Sequence, residues 1–298
     1  MKNELVSVIV PTFNRAKLLK NAINSILKQT YNFFEVIIVD DNSTDETKKM
    51  IMKINDNRIK YFKNKFNLYT AESRNIGIKK SSGSIITFLD DDDEMYATKL
   101  FDIVEVFNKH KEINFVYHRA KIMMVNENTY YYTNPINKPN YNNLLIKNCI
   151  GGTPTVSIKR ELLSASFDTN IKALEDYELW LNLSSNDFFT PYFLNKCLVQ
   201  CNYTTEKNSV SKNIDNLLDA LKFIEDKYSS SFKRFSSNEV NEHKEWINSL
   251  IAHKFLLNYN KKSCYYYLKS FYYSYKIKYL VASLLAILIP KLIFKLKK

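Results

Sequence analysis

The sequence predicts an α/β fold with a mostly parallel central sheet, followed by a helical carboxyl-terminal extension. Three observations carry that prediction. Over the first hundred residues, short apolar β-branched runs alternate with segments of helical periodicity, as in a parallel sheet buried on both faces. Acidic clusters follow two of the runs, at Asp40-Asp41 and at Asp90-Asp91-Asp92-Asp93-Glu94, so carboxylates stand beyond the strand ends, where such sheets bind ligands. Beyond about residue 206 only helical signals remain.

The first element is the run from Leu5 to Pro11, a buried strand closed by proline. Leu18, Leu19, Ala22, Ile23, Ile26 and Leu27 then recur at helical spacing, and residues 34–39, Phe-Glu-Val-Ile-Ile-Val, form a second buried strand. Ser43 and Glu46 stand at capping-box spacing and predict a helix through Met50 and Ile54. A strand at 59–62, a helix at 70–80, a strand at 84–89 and a helix at 99–110 continue the alternation. The pattern then becomes irregular: a strand through 115–125, a polar stretch over 126–143 and the Gly151-Gly152 turn, where the second half of a site is expected. In the extension, Leu217, Leu218, Leu221 and Ile224 share one helical face, and two longer helices follow at 246–259 and 264–275.

Composition excludes several function classes. The net charge is +12 over 298 residues, but nine lysines and no acidic residue lie between Lys261 and Lys298, leaving the remainder nearly balanced. A basic tail beside an apolar run points to an anionic membrane surface and not to nucleic acid. With only four glycines the chain can write neither a dinucleotide-binding nor a P-loop glycine motif. The four cysteines form no C-x-x-C pair and read as reduced thiols of a cytoplasmic protein, and the four histidines lack zinc-ligand spacing.

The chemistry concentrates in the acidic run after the strand at 84–89. Consecutive carboxylates repel one another unless a cation neutralises them, and hard oxygens suit Mg²⁺ or Mn²⁺; taken in isolation, the same run reads more readily as a solvated acidic turn, and its context turns the reading toward metal. Asp40-Asp41 and the following Asn42-Ser43-Thr44-Asp45 would converge on the same sheet edge, as ligand readers or as helix caps. Four motifs then appear in order: Val8-Ile9-Val10-Pro11-Thr12-Phe13-Asn14-Arg15, Val39-Asp40-Asp41-Asn42-Ser43-Thr44-Asp45, Arg74-Asn75-x-Gly77, and Phe88-Leu89-Asp90-x-Asp92-Asp93. Together they resemble a family 2 glycosyltransferase with the GT-A, or nucleotide-diphospho-sugar transferase, fold over roughly residues 5–210. The resemblance implies transfer of a sugar from a nucleotide-sugar donor with inversion at the anomeric carbon.

By that resemblance Pro11, Thr12, Phe13 and Arg15 line the nucleotide pocket, Asp41 reads the base, Arg74 approaches the diphosphate, and Asp90-x-Asp92 is the D-x-D element, with Asp91 beside it in the donor pocket. Asp92 is the first expected metal ligand, and Asp90 is divided between ribose and metal. An attacking hydroxyl must lose its proton, and Glu175-Asp176 resembles the family's acidic pair at a helix start, with Asp176 as base and Glu175 beside it. Gly152 and Thr153, in the preceding loop, are expected on the acceptor side; Trp180 could stack on a sugar face but, four residues after Asp176 on an amphipathic helix, fits better in the core. Where relatives often carry Arg or His near the diphosphate, the stretch 203–211 offers only Lys207, Asn208 and Ser209. No Gln-x-x-Arg-Trp motif of processive synthases occurs, so one sugar per acceptor is implied.

The implied organisation is a catalytic domain over 1–205, divided at about residue 95 into nucleotide-binding and acceptor-binding halves, and a helical region over 206–298. A UDP-sugar carrying a hexose or N-acetylhexosamine is the expected donor, and a lipid-linked or lipid-anchored glycan the acceptor. Leu280–Phe294 is too short to cross a bilayer and, flanked by tyrosines and lysines, is expected to lie on the cytoplasmic face of the inner membrane. The alternatives are a sugar nucleotidyltransferase, a non-catalytic glycan- or membrane-binding module and, for the tail, a helix pair packed on the domain.

Overall fold

The computed structural model describes residues 3–163, 166–205 and 213–295. β1 (Val6–Thr12) and β2 (Phe34–Asp40) are buried at every position, so both faces of the sheet must be covered. Alternate residues divide accordingly. Val6, Val8, Val10, Val36 and Ile38 pack in one core with Leu19, Ala22, Ile23 and Ile26 of α1 (Ala16–Leu27) and with Leu100, Ile103, Val104 and Phe107 of α4 (Lys99–Lys109). Ile9, Ile37, Val39, Ile86 and Phe88 pack in the other. Their partners there are Ala71 of α3 (Tyr69–Lys80), Leu144 and Leu145 of α5 (Tyr141–Ile146), and Tyr177, Leu179 and Trp180 of α6 (Glu175–Ser184). α3 crosses β1 closely because Gly77 has no side chain: a Cβ there would come within 2.4 Å of Ile9 Cγ2.

The described sheet has nine strands. β3 (Ile59–Lys63), β2, β1 and β4 (Ile85–Phe88) run parallel in that order. β8 (Val156–Lys159) joins β4 antiparallel, and β6 (Phe115–Met124), β9 (Pro191–Tyr203) and β5 (Glu94–Met95) complete the path, with β7 (Thr129–Tyr132) paired to β6. The carboxyl ends of β1, β2 and β4 therefore open on one edge, followed by the two acidic clusters.

Two local expectations need correction, and the tail takes a form the periodicity left open. The second helix, α2, covers only Thr47–Ile51, and Ser43 and Glu46 form no capping box. Ser43 instead accepts a hydrogen bond from the Asn14 backbone, and Asp45 accepts from the Thr47 backbone. The polar stretch over 126–143 holds β7 and the start of α5, which Asn140 and Asn143 close with a reciprocal capping box. The apolar tail is two helices, α11 (Ile277–Leu288) and α12 (Pro290–Lys295), because Pro290 lacks an N–H and biases Ile289 out of helical geometry.

The extension otherwise comprises α7 (Ile214–Lys227), α8 (Ser229–Phe232), α9 (Ser237–Leu257) and α10 (Lys262–Ser274). Ala252, Leu256, Tyr267, Ala286, Ile293 and Phe294 join the first core, so the tail is packed on the fold. Glu245 of α9 pins α11: its carboxylate accepts from Lys276 Nζ and from the Tyr279 hydroxyl, each at 2.8 Å. The opposite side of α11 leaves Ile277, Leu280, Val281, Leu284, Ile287 and Leu288 exposed as one helical stripe.

Candidate active site

The loops at the strand ends are stitched to one another by short polar contacts. After β1, Thr12 Oγ1 donates to Asp91 Oδ2 at 2.8 Å, and Arg15 donates to Asp91 at 3.0 Å and to Asp92 at 2.8 Å. Asn14, held at a positive φ of 53°, accepts from the Thr44 backbone at 2.7 Å, joining the loops after β1 and β2. Asp40 is fully buried and accepts from the Ser43 backbone and the Tyr61 hydroxyl. Asp41 organises the next loop: Oδ1 accepts from Asn64 and the Leu68 backbone, and Oδ2 from the Tyr69 backbone at 2.8 Å. Three of its roughly four acceptor positions are thereby used. Phe13 is 43% exposed at the rim, whereas Pro11 and Thr12 lie beneath it.

Arg74 of α3 spans two acidic clusters. One terminal nitrogen donates to Asp90 at 2.7 Å and the other to Glu175 at 2.7 Å. The guanidinium is only 4% exposed, and burial alone would lower its pKa; Asp90 and Glu175 reverse the direction and hold it charged. Leu174, immediately before Glu175, has a left-handed backbone with φ 57° and ψ 20°, unusual for a branched residue. That turn starts α6 and presents Asp176 to the loop at Gly151-Gly152, where a Cβ on Gly152 would stand 3.4 Å from Asp176 Oδ2. Gly151 has φ +124°, a conformation reserved for glycine, and its carbonyl accepts from Trp180 Nε1 at 2.9 Å.

Burial raises the carboxyls of Asp91, Asp92, Asp93 and Asp176, that of Asp93 well above the ordinary range. Burial, reinforced by Glu175 and opposed by Arg74, pushes the Asp176 carboxyl up to about 7, the range in which a group can both take and release a proton. Burial also raises Asp92, to about 6, with Arg15 working against the rise and Asp91 and Asp90 adding to it. Asp90, Asp91 and Asp92 are three adjacent carboxylates facing two guanidiniums, Arg15 and Arg74, and Arg74 is shared with Glu175. Oxygen donors with that surplus fit a divalent cation. Among the described residues no three His, Cys, Asp or Glu side chains converge on one metal-holding point, and Mg²⁺ is commonly held by one or two carboxylates together with phosphate oxygens.

Comparison with known proteins assigns the architecture. The family model described as Glycosyl transferase family 2 matches residues 7–167, and an uncharacterized glycosyltransferase of Haemophilus influenzae is 33% identical over 298 residues, covering 99% of each chain. The chain belongs to glycosyltransferase family 2. A second family relative, from Escherichia coli, is named UDP-Glc:alpha-D-GlcNAc-diphosphoundecaprenol beta-1,3-glucosyltransferase WfgD and is 34% identical over 72% of this chain and 82% of its own. Among solved structures, S. aureus TarS residues 1–349 in complex with UDP-GlcNAc superposes with a TM-score of 0.58 at 20% identity, covering 90% of this chain and 91% of that one. That likeness carries the GT-A fold alone. Family membership decides for a glycosyltransferase over the nucleotidyltransferase alternative.

Within this family 2 transferase, Trp180 takes the core position its helix face favours, and Thr153, expected on the acceptor side, is buried. Trp180 is fully buried, in edge contact with Phe115, and Thr153 is 2% exposed in a 3-10 turn at Thr153–Thr155; neither side chain offers surface to a sugar. Trp180 acts on the site through Gly151. Sequence reasoning also missed two supports. Asn202 of β9 donates its side-chain amide to the Asp92 carbonyl at 2.7 Å and its backbone N–H to Asp93 at 2.9 Å, fixing the D-x-D loop from behind. Lys99, fully buried, donates to the Pro154 carbonyl at 2.7 Å and so ties α4 to the loop over Asp176; burial brings its ammonium down to about 7. An asparagine in a strand gives no sequence signal for such contacts, and a lysine at a helix start reads as surface. Lys207, Asn208 and Ser209 lie outside the described residues.

Proposed function

We propose that this glycosyltransferase moves one hexose or N-acetylhexosamine from a UDP-sugar to a hydroxyl of a lipid-diphosphate-linked glycan, with inversion and with Mg²⁺ or Mn²⁺ in the donor site. The observation that carries the reading is the chain Asp90–Arg74–Glu175–Asp176, which couples the donor carboxylates to a carboxyl poised near neutrality. Asp176 accepts the proton of the acceptor hydroxyl as that oxygen bonds the anomeric carbon. The bond from that carbon to the diphosphate oxygen breaks in the same displacement, and the nucleoside diphosphate leaves. Arg74 and Arg15 hold the carboxylates in register, and Phe13 flanks the base. When bound, the cation supplies neutralisation of the leaving diphosphate, with Asp92 and Asp90 its expected ligands. Gly152 keeps space open over Asp176 for the hydroxyl.

The acceptor class follows the relative WfgD, whose name specifies a diphosphoundecaprenol-linked sugar. Membrane contact is supported by the uncovered apolar stripe of α11 with Lys278, Lys291 and Lys295 near it, in the manner of an in-plane interfacial helix. No helix is long and apolar enough to cross a membrane among the described residues. The test is a screen of UDP-sugars against a short-chain lipid-diphosphate GlcNAc, reading released UDP and the anomeric configuration of the product. A β-linked product from an α-linked donor is expected; a retained configuration, or UDP release without any product, would sink the reading.

A further inference from the structure

The helix that carries Asp176, α6, is held from behind as well as from the site. Asp176 and Glu178 stand two residues apart, about 200° around the helix axis, so they face opposite sides. Asp176 faces the loop at Gly151-Gly152, and Glu178 turns toward the extension, where it is 1% exposed. There the Glu178 carboxylate pairs with Lys227 Nζ at 2.7 Å and accepts from the Tyr228 hydroxyl at 2.8 Å. Both partners stand at the end of α7, beyond the residues 7–167 matched by the family model. The same Lys227 Nζ also donates to Asp168 Oδ2 at 2.8 Å.

Asp168 belongs to the segment that seats Arg74. The backbone of Phe167, one residue earlier, exchanges two hydrogen bonds of 2.9 Å with the Asn75 side-chain amide, and the Arg74 guanidinium lies 5.5 Å from the centre of the Phe167 ring. Arg74 in turn bonds Glu175 at the start of α6. The pair Arg74–Glu175 therefore closes a circuit of contacts whose far side is Asp168–Lys227–Glu178. One ammonium, supplied by the extension, fixes the spacing between the Arg74 segment and the helix that carries Glu175 and Asp176. Without it, Glu178 would be a buried carboxylate with one hydroxyl partner, a costly state.

We propose that Lys227 is a positioning residue for sugar transfer: through Glu178 and Asp168 it sets the register of Asp176 against Arg74, so the helical extension governs turnover. The proposal rests on the roles of Arg74 and Asp176 argued above. Reacting groups displaced by about 1 Å lose about a hundredfold in rate, whereas a latch outside the donor loops leaves nucleotide binding untouched.

Turnover and binding are compared in the full-length protein. The kcat with the UDP-sugar selected by the donor screen and lipid-diphosphate GlcNAc, the Kd of UDP by calorimetry and the melting temperature are measured. The proteins are the wild type, Lys227→Arg, Lys227→Met and the double variant Lys227→Met/Glu178→Gln, in which no carboxylate is left buried and unpaired at position 178. The double variant is expected to lose about tenfold to a hundredfold in kcat with UDP affinity unchanged. Lys227→Arg should recover most of the rate, since a guanidinium also serves two carboxylates. Wild-type kcat in the folded double variant would overturn the proposal. So would parallel losses of kcat, UDP affinity and melting temperature, which mark a general structural role. Hydrogen exchange at residues 174–178 reads the latch with no acceptor present, and faster exchange is expected in the double variant. If the wild type transfers no sugar, the function reading fails while faster exchange keeps Lys227 as the hold on α6; unchanged exchange would overturn that hold as well.

Discussion

Asp176, the proposed base, shows how one residue's surroundings bear on both a rate and a stability. Its carboxyl titrates near 7 in the fold against an ordinary 3.8, raised by burial and Glu175 beyond what Arg74 offsets. Since only the carboxylate accepts a proton, kcat/KM should fall about tenfold per pH unit below that value. Asp176→Asn should lower kcat by about 10² or more with donor affinity nearly kept, as measured by turnover and UDP titration. The stability consequence has the opposite sense. The unfolded chain ionises at the ordinary value while the fold resists, so this group costs stability increasingly as pH rises from about 4 to about 7. The Asn variant should therefore melt above the wild type at pH 8, with the gap closing below pH 4, which calorimetry at the two pH values checks. Asp92 carries the other test. Asp92→Asn should abolish turnover and weaken donor binding in Mn²⁺, and a chelator should reproduce the loss in the wild type; full activity in excess chelator would remove the cation from the reaction.

The elements divide by how local their causes are. β1 and β2 can be read directly because strands buried on both faces are uninterrupted apolar runs, and the two acidic clusters are legible because they follow those strands. The capping box at Ser43 fails for a tertiary reason: Asn14 takes its hydroxyl, and polar loops at a ligand edge bind one another as readily as their own helices. β5 is two residues long and owes its existence to Val199 and Gln200, which no local pattern announces. The ties from Lys99 to Pro154 and from Asn202 to Asp92 are equally illegible, since each joins positions far apart in sequence. Gly77 gives a measurable case at this scale. Alanine there would gain about 1 kcal/mol of helix propensity, but its methyl would fall 2.4 Å from Ile9 Cγ2, and overpacking costs about 1–3 kcal/mol. Gly77→Ala should lower the melting temperature, and adding Ile9→Ala should cost less than the two single losses combined.

For the whole molecule, the extension both covers the first core through Phe294 and carries the uncovered stripe of α11. Replacing Leu284 and Leu288 by serine should leave the melting temperature close to that of the wild type, because both are more than half exposed, while reducing co-sedimentation with anionic vesicles. Raised salt should reduce it further, as lysines act through screened attraction. Equal sedimentation of the variant would place the membrane contact on another surface. The late position of β9 bears on how the enzyme comes into being. β9 lies between β6 and β5 in the sheet, and its Asn202 is what steadies the loop of carboxylates made more than a hundred residues earlier. During synthesis the acidic loop therefore has only its earlier partners Thr12, Arg15 and Arg74, and lacks the tie to Asp92 and Asp93, until residue 203 has left the ribosome. Contacts of such sequence separation form slowly. A fragment ending at residue 167 contains the whole family match and still lacks that strand, so its donor loop should exchange amide hydrogens freely and bind no UDP.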